Sequence, residues 1–379
     1  MSSYIHVIKQ AFLFFPIVAA IFTLPYILYN YRKYGTAIWI RNLIIYSFIL
    51  YLICVFFLVL LPLPSKEFVS KLTSPRASLI PFQFILDIIK EAQKSNITGI
   101  MAYINNPALF QFLFNILMLL PFGVYLHYYF NCNLKKTVLC SFLLSLFFEI
   151  TQLTGIFFIY PRGYRLFDVD DLMANTLGGF IGYYVANVLA KFLPSREEID
   201  QESYKKGEQV SFLRRTISFI CDLGMIILIT MVTSIILAIL SINIPHLEKI
   251  IAFIYFTFLA YFKHGQTYGM RITKIKIISD DNEPVRLFQL ILRFILFCLY
   301  LIALPYIFTT ALYAIHHTGL LSLSIYLILE IMLITCFLFS ILFLQIHMIS
   351  RKQVFYEKYS STKFISTVTY NDSKIKGTK

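Results

Sequence analysis

The stretch RLFDVDDLMANTLGGFIGYY, residues 165–184, joins a charged start to a long apolar continuation. Its first seven residues hold one arginine and three aspartates. From the third aspartate onward, one helical face is marked by residues spaced at i, i+4, i+7, i+11 and i+15: Asp171, Asn175, Gly178, Gly182 and Ala186. The stretch therefore predicts a membrane helix whose first turns are polar and whose remaining face is small enough for close packing.

The composition agrees with a membrane location. The 379 residues are 58% hydrophobic and only 14% charged, with a mean hydropathy of +0.73, whereas soluble domains are about 25% charged. We therefore expect an all-α polytopic membrane protein. The net charge of +13 indicates no nucleic-acid partner, because lysine and arginine in membrane proteins mostly mark cytoplasmic loops.

A helix needs about 20 apolar residues to cross the hydrocarbon core, and nine stretches qualify as membrane spans. They lie at about 10–30, 39–62, 108–130, 135–158, 171–192, 213–242, 246–263, 287–313 and 320–347. Backbone without internal hydrogen bonds cannot face lipid, so each is expected to be helical. The alternation of basic loops predicts an N-terminus outside and a C-terminus in the cytoplasm.

A polar segment divides these spans into two bundles of five and four helices. PSREEIDQESYKKGEQ, residues 194–209, is dense in charge of both signs and is typical of a linker. We predict a five-helix membrane domain at 1–193, a cytoplasmic linker at 194–210, a four-helix membrane domain at 211–363 and a polar basic cytoplasmic tail at 364–379.

Two loops contain local structure of their own. SLIPFQFILDIIKEAQKS, residues 78–95, has an apolar face with a period of 3.6 residues, which predicts an amphipathic helix lying flat on the outer leaflet. MRITKIKIISDDNEPVRL, residues 270–287, alternates like a strand and then turns. This second pattern predicts a small cytoplasmic β-hairpin.

Polar side chains inside the first bundle stand out, because an ionisable residue in a span costs about 2.5–3.5 kcal/mol. Glu149 and Gln152 share one face of the fourth span, and Asn115 lies in the third. Under the predicted topology they lie in the outer leaflet, at the depth of the polar start of the fifth span. We expect Glu149 to pair with Arg165 or Arg162, or to be protonated.

Each of these residues also has a purely structural interpretation. Asp168 could cap the fifth helix while Asp170 and Asp171 favour its positive end. The three aspartates could instead hold a hard cation such as Mg²⁺. Asn115 and Gln152 could link helices to each other, and we interpret the two glycines as a packing face. No cofactor is predicted.

Four motifs in the first bundle together resemble the VanZ-like family across about residues 37–190. They are SLIPF (78–82), NILMLLPFG (115–123), FFEITQ (147–152) and GYRLFDVDDLMANTLGGFIGY (163–183). The resemblance implies a protein of the bacterial plasma membrane, linked to resistance against glycopeptides, chiefly teicoplanin. It implies membrane lipids, and lipid-linked or glycopeptide ligands at the outer leaflet, as partners. The polar set that it implies is Asn115, Glu149, Gln152, Arg165, Asp168, Asp171 and Asn175.

The second bundle resembles the RDD family of membrane proteins over about residues 211–363. The resemblance is carried by an arginine and an aspartate seven residues apart, by GQTYGMRITKIKII (265–278) and by RKQVFYEKYSSTK (351–363). Met270 and Glu357 depart from it, since the family usually has lysine and aspartate there. The implied polar cluster is Arg215, Asp222, Arg293 and Glu357. An aspartate inside a span should be ion-paired, although the cluster could simply fix helix ends and topology.

Three functions follow from these residues. The favoured one is a non-catalytic membrane protein that binds or modulates lipid or cell-wall-linked ligands at the outer leaflet. The second is an intramembrane lipid-modifying enzyme with Glu149 as general base and a divalent cation. The third is a secondary transporter with Glu149 and Asp222 as coupling carboxylates. No nucleophile with a matched histidine, no HExxH motif and no phosphate loop is evident, and no inverted repeat of broken helices supports transport.

Overall fold

The computed structural model describes residues 2–94, 99–350 and 353–368. The end of the predicted amphipathic segment, the first two residues of the motif at 351–363 and most of the predicted tail lie outside these ranges. The α-helices of the first half are α1 (Ser2–Tyr34), α2 (Trp39–Leu60), α3 (Lys66–Ser70), α4 (Gln83–Lys94), α5 (Met101–Ile104), α6 (Pro107–Tyr128), α7 (Leu134–Leu153), α8 (Gly155–Phe158) and α9 (Val169–Leu189).

The helices of the second half include two π-helical turns, Tyr255–Leu259 and Leu299–Ala303. Its α-helices are α10 (Arg196–Gly207), α11 (Phe212–Ile239), α12 (Leu247–Ile254), α13 (Ala260–Phe262), α14 (Tyr268–Ile272), α15 (Leu287–Cys298), α16 (Leu304–His317), α17 (Leu323–Ile349) and α18 (Phe355–Tyr359). The strands of the whole chain are β1 (Ala77–Ser78), β2 (Phe167–Asp168), β3 (Ile275–Ser279) and β4 (Thr362–Ser366).

Seven helical segments in the described ranges are long and apolar enough to cross a membrane. They are Lys9–Tyr34, Trp39–Leu60, Pro107–Tyr128, Leu134–Leu153, Phe212–Ile239, Leu287–His317 and Leu323–Ile349. The prediction of an all-α polytopic membrane protein is confirmed, with seven candidate spans in place of nine. The other two predicted spans are helical but weaker: α9 starts with polar residues, and the segment Leu247–Phe262 is short and contains a π-helical turn.

The chain forms two compact units, the first made of residues 1–23 and 39–199. The centre of this unit is an apolar core from α2, α6 and α7 that includes Val55, Leu119 and Phe148. Helices α6 and α9 pack closely because glycines replace side chains at their contact. A Cβ added to Gly178 or Gly182 would overlap a backbone carbonyl of α6. The predicted packing face is therefore confirmed.

The amphipathic helix is also confirmed, as α4. It follows β1, which pairs in parallel with β2 just before α9. On its inner face, the ring of Phe84 stacks on the ring of Phe112 in α6, with centroids 4.0 Å apart. Its outer face leaves apolar side chains such as Leu86 exposed. Contact of this face with the outer leaflet remains a prediction.

The second unit contains residues 24–38 and 200–379, and its strand pairing differs from the expected hairpin. The predicted strand exists as β3, but its partner is β4, in antiparallel register from Ile275–Ser366 to Ser279–Thr362. The residues after the turn make only an isolated bridge at Pro284. Proline has no N–H to extend a ladder, and the chain enters α15 at Leu287, so the distant β4 completes the sheet.

Two predicted polar segments contain regular structure. The segment at 194–210 is largely the helix α10, which buries Ile199. The segment predicted as a tail begins inside β4, at Phe364 to Ser366. Whether either segment faces the cytoplasm remains a prediction.

Candidate functional site

Glu149 occupies the centre of the polar cluster in the first unit. It lies on α7, is 3% exposed, and its Oε2 accepts the backbone N–H of Asp168 at 3.0 Å. The expected ion pair with Arg165 or Arg162 is wrong, since neither makes a salt bridge with Glu149 in the described part of the chain. The buried carboxylate of Glu149 therefore has a neutral backbone N–H as its hydrogen-bond donor.

The two arginines bind the loop after α2 instead. Arg165 donates to the carbonyl of Leu61 at 2.7 Å, and Arg162 donates to the carbonyls of Leu72 and Ser74. Two tyrosine hydroxyls make similar bonds: Tyr164 to Leu60 at 2.8 Å and Tyr160 to Pro64 at 2.9 Å. The segment before α9 therefore holds the loop that leads to α4.

Asp168 and Asp171 have separate partners. Asp168 is the N-cap of α9, since its Oδ1 accepts the backbone N–H of Asp170 at 2.9 Å, and the capping interpretation is confirmed. Burial raises the pKa of this carboxyl, while that backbone N–H opposes the shift. Asp171 accepts a hydrogen bond from the side-chain amide of Asn115, which links α9 to α6.

Asp170 anchors the amphipathic helix. It is 3% exposed, and its two carboxylate oxygens accept the backbone N–H groups of Phe82 and Phe84, each at 2.7 Å. These amides lie at the N-terminus of α4, where backbone donors have no partner within the helix. A carboxylate in this position also interacts favourably with the helix dipole. Asp170 thus joins the start of α9 to the start of α4.

The three aspartates of the predicted cation site do not converge on one site. Asp168, Asp170 and Asp171 each accept hydrogen bonds from a different donor. Across the described ranges, no group of three or more histidine, cysteine, aspartate or glutamate side chains is placed to hold a metal ion. The aspartates therefore act here as hydrogen-bond acceptors for backbone and amide donors.

Gln152 and Asn175 connect helices. Gln152 donates from Nε2 to the carbonyl of Val59 in α2 at 3.1 Å. Asn175 donates from Nδ2 to the hydroxyl of Ser145 in α7 at 3.0 Å, while its buried Oδ1 has no hydrogen-bond partner among the described residues. The interhelical interpretation of Gln152 is confirmed, and Asn175 retains one free acceptor within the cluster.

A polar stripe on α7 was not predicted from the sequence. Thr137, Ser141 and Ser145 precede Glu149 at intervals of four residues, and all four are buried. Ser141 packs against Gly179, so the stripe faces α9. The i, i+4 spacing is visible in the sequence. Hydroxyl side chains are common inside membrane helices, however, so the spacing alone does not indicate a polar cluster.

In the second unit, three of the four predicted cluster residues meet. Glu357 is fully buried, and its Oε1 lies 3.0 Å from a guanidinium nitrogen of Arg215 and 3.1 Å from one of Arg293. Arg293 also donates to the hydroxyl of Thr362 at 2.8 Å. The carboxylate at 357 therefore makes a buried ion triad that ties α11, α15 and α18 together.

Asp222 is separate from this triad, and its expected ion pair is wrong. Its carboxylate accepts hydrogen bonds from the hydroxyl of Tyr255, the hydroxyl of Thr267 and the backbone N–H of Gly269, each at 2.6 Å. Three short bonds from neutral donors replace the predicted cationic partner. Tyr255 opens a π-helical turn, a feature found often at functional sites.

Arg214, the neighbour of Arg215, was not among the predicted cluster residues, yet it donates five hydrogen bonds to described residues. It is fully buried and donates to the carbonyls of Gly207, Thr273 and Lys274 and to the hydroxyl of Ser366. It thereby joins the end of α10 to the residues just before β3 and to β4. Because Arg214 and Arg215 are adjacent at the start of α11, the sequence does not indicate which of the two side chains is buried.

These features define a multi-pass membrane protein with two helical units, each built around its own buried polar cluster. Residues 48–191 match the VanZ/LLP1 family, and residues 209–359 match the RDD family. The chain therefore carries a VanZ/LLP1 domain followed by an RDD family domain, as the two sequence resemblances predicted. No curated protein and no solved structure matches the chain.

Proposed function

We propose that this protein binds or modulates lipid-linked or cell-wall-linked ligands at the outer leaflet of a bacterial plasma membrane and contributes to resistance against teicoplanin-type glycopeptides. The VanZ/LLP1 domain supports the ligand class through the family resemblance. The observation that carries the proposal is the joint formed by Asp170, which holds the amphipathic helix α4 directly beside the buried polar cluster.

The two sides of this joint suit the two parts of a lipid-tailed ligand. Ile80, Phe82 and Leu86 are exposed apolar side chains at and before α4, and they suit acyl chains. Glu149 and Asn175 offer buried acceptors in the polar cluster that Asp170 joins to α4, and such groups suit the hydroxyl and amide donors of a polar head group.

Two alternatives gain less support. A cation-dependent enzyme would need the aspartates to share a site, whereas each has its own donor. A transporter coupled through Glu149 and Asp222 would use two carboxylates that belong to separate units. Ligand binding requires neither a convergent cation site nor a path between the units.

The test compares matched variants in a teicoplanin-susceptible bacterial host. Glu149→Gln and Asp171→Asn keep the hydrogen-bonding shape and remove the charge, and Glu248→Gln removes an exposed charge from the second unit. We expect the wild type and Glu248→Gln to raise the teicoplanin inhibitory concentration by several-fold, and the two cluster variants to lose most of that increase.

Membrane abundance of each variant is measured by immunoblotting, so that loss of folding is not mistaken for loss of function. Vancomycin, a glycopeptide without a lipid tail, serves as the ligand control and should show a smaller effect. Unchanged teicoplanin susceptibility in both cluster variants at normal abundance would contradict the proposal.

A further inference from the structure

The second unit contains a basic pocket that neither its ion triad nor Asp222 uses. The pocket has a volume of about 390 Å³ and is lined by five basic side chains together with neutral ones. The basic residues are Lys263, His264, Arg271, Lys274 and Lys276. Of the described residues that line it, none is acidic. A concave site with only one sign of charge concentrates counter-ions of the opposite sign.

The fold, and not a single basic run, collects these side chains. Lys263 follows the last residue of α13, Arg271 lies in the last turn of α14, and Lys276 lies on β3. Lys274 connects α14 to β3 in the left-handed region, at φ 59°. Basic residues from three elements therefore line one cavity. Basic residues that only determine membrane topology would not need to converge in this way.

A buried arginine in contact with the pocket lining adds to the positive charge at the pocket. The buried guanidinium of Arg214 donates to the carbonyls of Thr273 and Lys274, and all its described partners are neutral. The acidic residues of the following turn do not line the cavity. One of them, Asp280, instead accepts hydrogen bonds from Gln353 and Lys363. The cations in the pocket therefore remain available to an external anion.

Exposed aromatic rings beside the pocket indicate the origin of that anion. Phe262, directly before Lys263, is 72% exposed, and Tyr268 in α14 is 55% exposed. Tyrosine is enriched at membrane–water interfaces, where its ring sits at the level of the lipid head groups. Basic pockets at this level bind phosphate-bearing lipid head groups.

We propose that the basic pocket of the RDD domain binds the phosphate of an anionic phospholipid head group. Lysine and arginine supply the point-charge and forked donors that phosphate oxygens accept, and the exposed rings contact the first part of the acyl chains. This site is independent of the ligand site proposed for the VanZ/LLP1 domain.

The experiment uses the full-length protein, purified in a neutral detergent, with native mass spectrometry of retained lipid. Phosphatidylglycerol and phosphatidylcholine are titrated separately, and glycerol 1-phosphate and inorganic phosphate are added as soluble competitors. The pocket variant is Lys263→Gln with Arg271→Gln, both exposed positions. The matched control is Lys135→Gln with Lys136→Gln, two exposed lysines at the start of α7.

We expect the wild type to retain phosphatidylglycerol in preference to phosphatidylcholine, and the pocket variant to bind phosphatidylglycerol about tenfold more weakly. The control variant should bind like the wild type. Competition only at high soluble phosphate supports a lipid head group. Equal binding of soluble phosphate assigns the pocket to a free phosphate, and overturns the lipid assignment.

Equal losses in the pocket variant and the control would mean that overall charge alone attracts the lipid, and would overturn the proposal. Undiminished binding by the pocket variant would do the same. If the double variant unfolds, as judged by gel filtration, the single substitution Lys276→Gln repeats the comparison and should still weaken binding by several-fold.

Discussion

The polar cluster around Glu149 and the ion triad around Glu357 satisfy their buried carboxylates in opposite ways. In the VanZ/LLP1 domain, Glu149 and Asp170 accept hydrogen bonds from backbone amides while nearby arginines bind a loop. In the RDD domain, Glu357 lies between two arginines. An ion triad with every partner in place is rigid and costly to break, whereas acceptors held by neutral donors can exchange those donors for groups of a ligand. The first cluster is therefore the better candidate for binding, and the second for holding helices together.

The largest effect should come from Arg214→Ala, which breaks the hub of the second unit. The substitution removes the hydrogen bonds to the carbonyls of Gly207, Thr273 and Lys274, and a hydrogen bond to a charged group is worth about 1.5–3 kcal/mol. The carbonyls of Gly207 and Lys274 each keep a second donor, from Ser366 and Thr367, so the loss is greatest at Thr273. We expect little folded protein, or a fall of more than 10 °C in apparent melting temperature in detergent. Arg214→Lys should rescue only part of the loss, because an ammonium cannot reproduce the guanidinium fork. A wild-type melting temperature for both variants would show that the hub is dispensable.

The second-largest loss of stability should come from Glu357→Gln, because it leaves two guanidiniums facing a neutral group. Removing one partner of a buried ion pair costs about 3–5 kcal/mol. Glu357→Asp, which restores the residue typical of the family, should cost clearly less. The readout is thermal unfolding of the purified protein. A larger loss for aspartate than for glutamine would mean that side-chain length, and not charge, matters at this position.

Gly182→Ala tests the close packing of the first unit, and we expect a cost of about 2 kcal/mol. The added methyl would overlap the carbonyl oxygen of Leu120 in α6, so the two helices must separate. The matched control is Gly224→Ala in α11, where nothing lies within 4 Å of the new methyl. There the higher helix propensity of alanine should raise stability slightly. Equal melting temperatures for the two variants would show that α9 does not depend on its small residues.

The smallest effect on stability should come from Asp170→Asn, at about 1–2 kcal/mol, because one of the two charged acceptors of α4 is lost. We expect faster hydrogen exchange in α4 with little change in the melting temperature. Asp168→Asn is the control, since asparagine is also a good N-cap, and it should leave exchange in α4 unchanged. If exchange in α4 is the same in both variants, Asp170 does not anchor that helix.

Much of the fold could be predicted because it depends on local apolar length. Seven spans, the amphipathic helix α4 and the small-residue face of α9 all follow from patterns within about 20 residues. The partner of β3 could not be predicted, since β4 lies more than 80 residues further along the chain. The short turn after β3 suggested a hairpin, but proline and the start of α15 prevent one.

The candidate sites also have features that could be predicted from the sequence and features that could not. Sequence alone indicated the buried carboxylates Glu149 and Asp222, because the cost of placing an ionisable group in an apolar helix makes each one conspicuous. It did not indicate the hydroxyl stripe of α7 or the burial of Arg214. The tertiary structure decided which donor each acceptor meets: Asp170 finds the amide of Phe82, 88 positions away, and Asp222 finds neutral donors where a cation was expected. The physical reason is that burial is a property of a local pattern, whereas a hydrogen bond requires two atoms within about 3 Å, and only the packing of distant segments sets that distance.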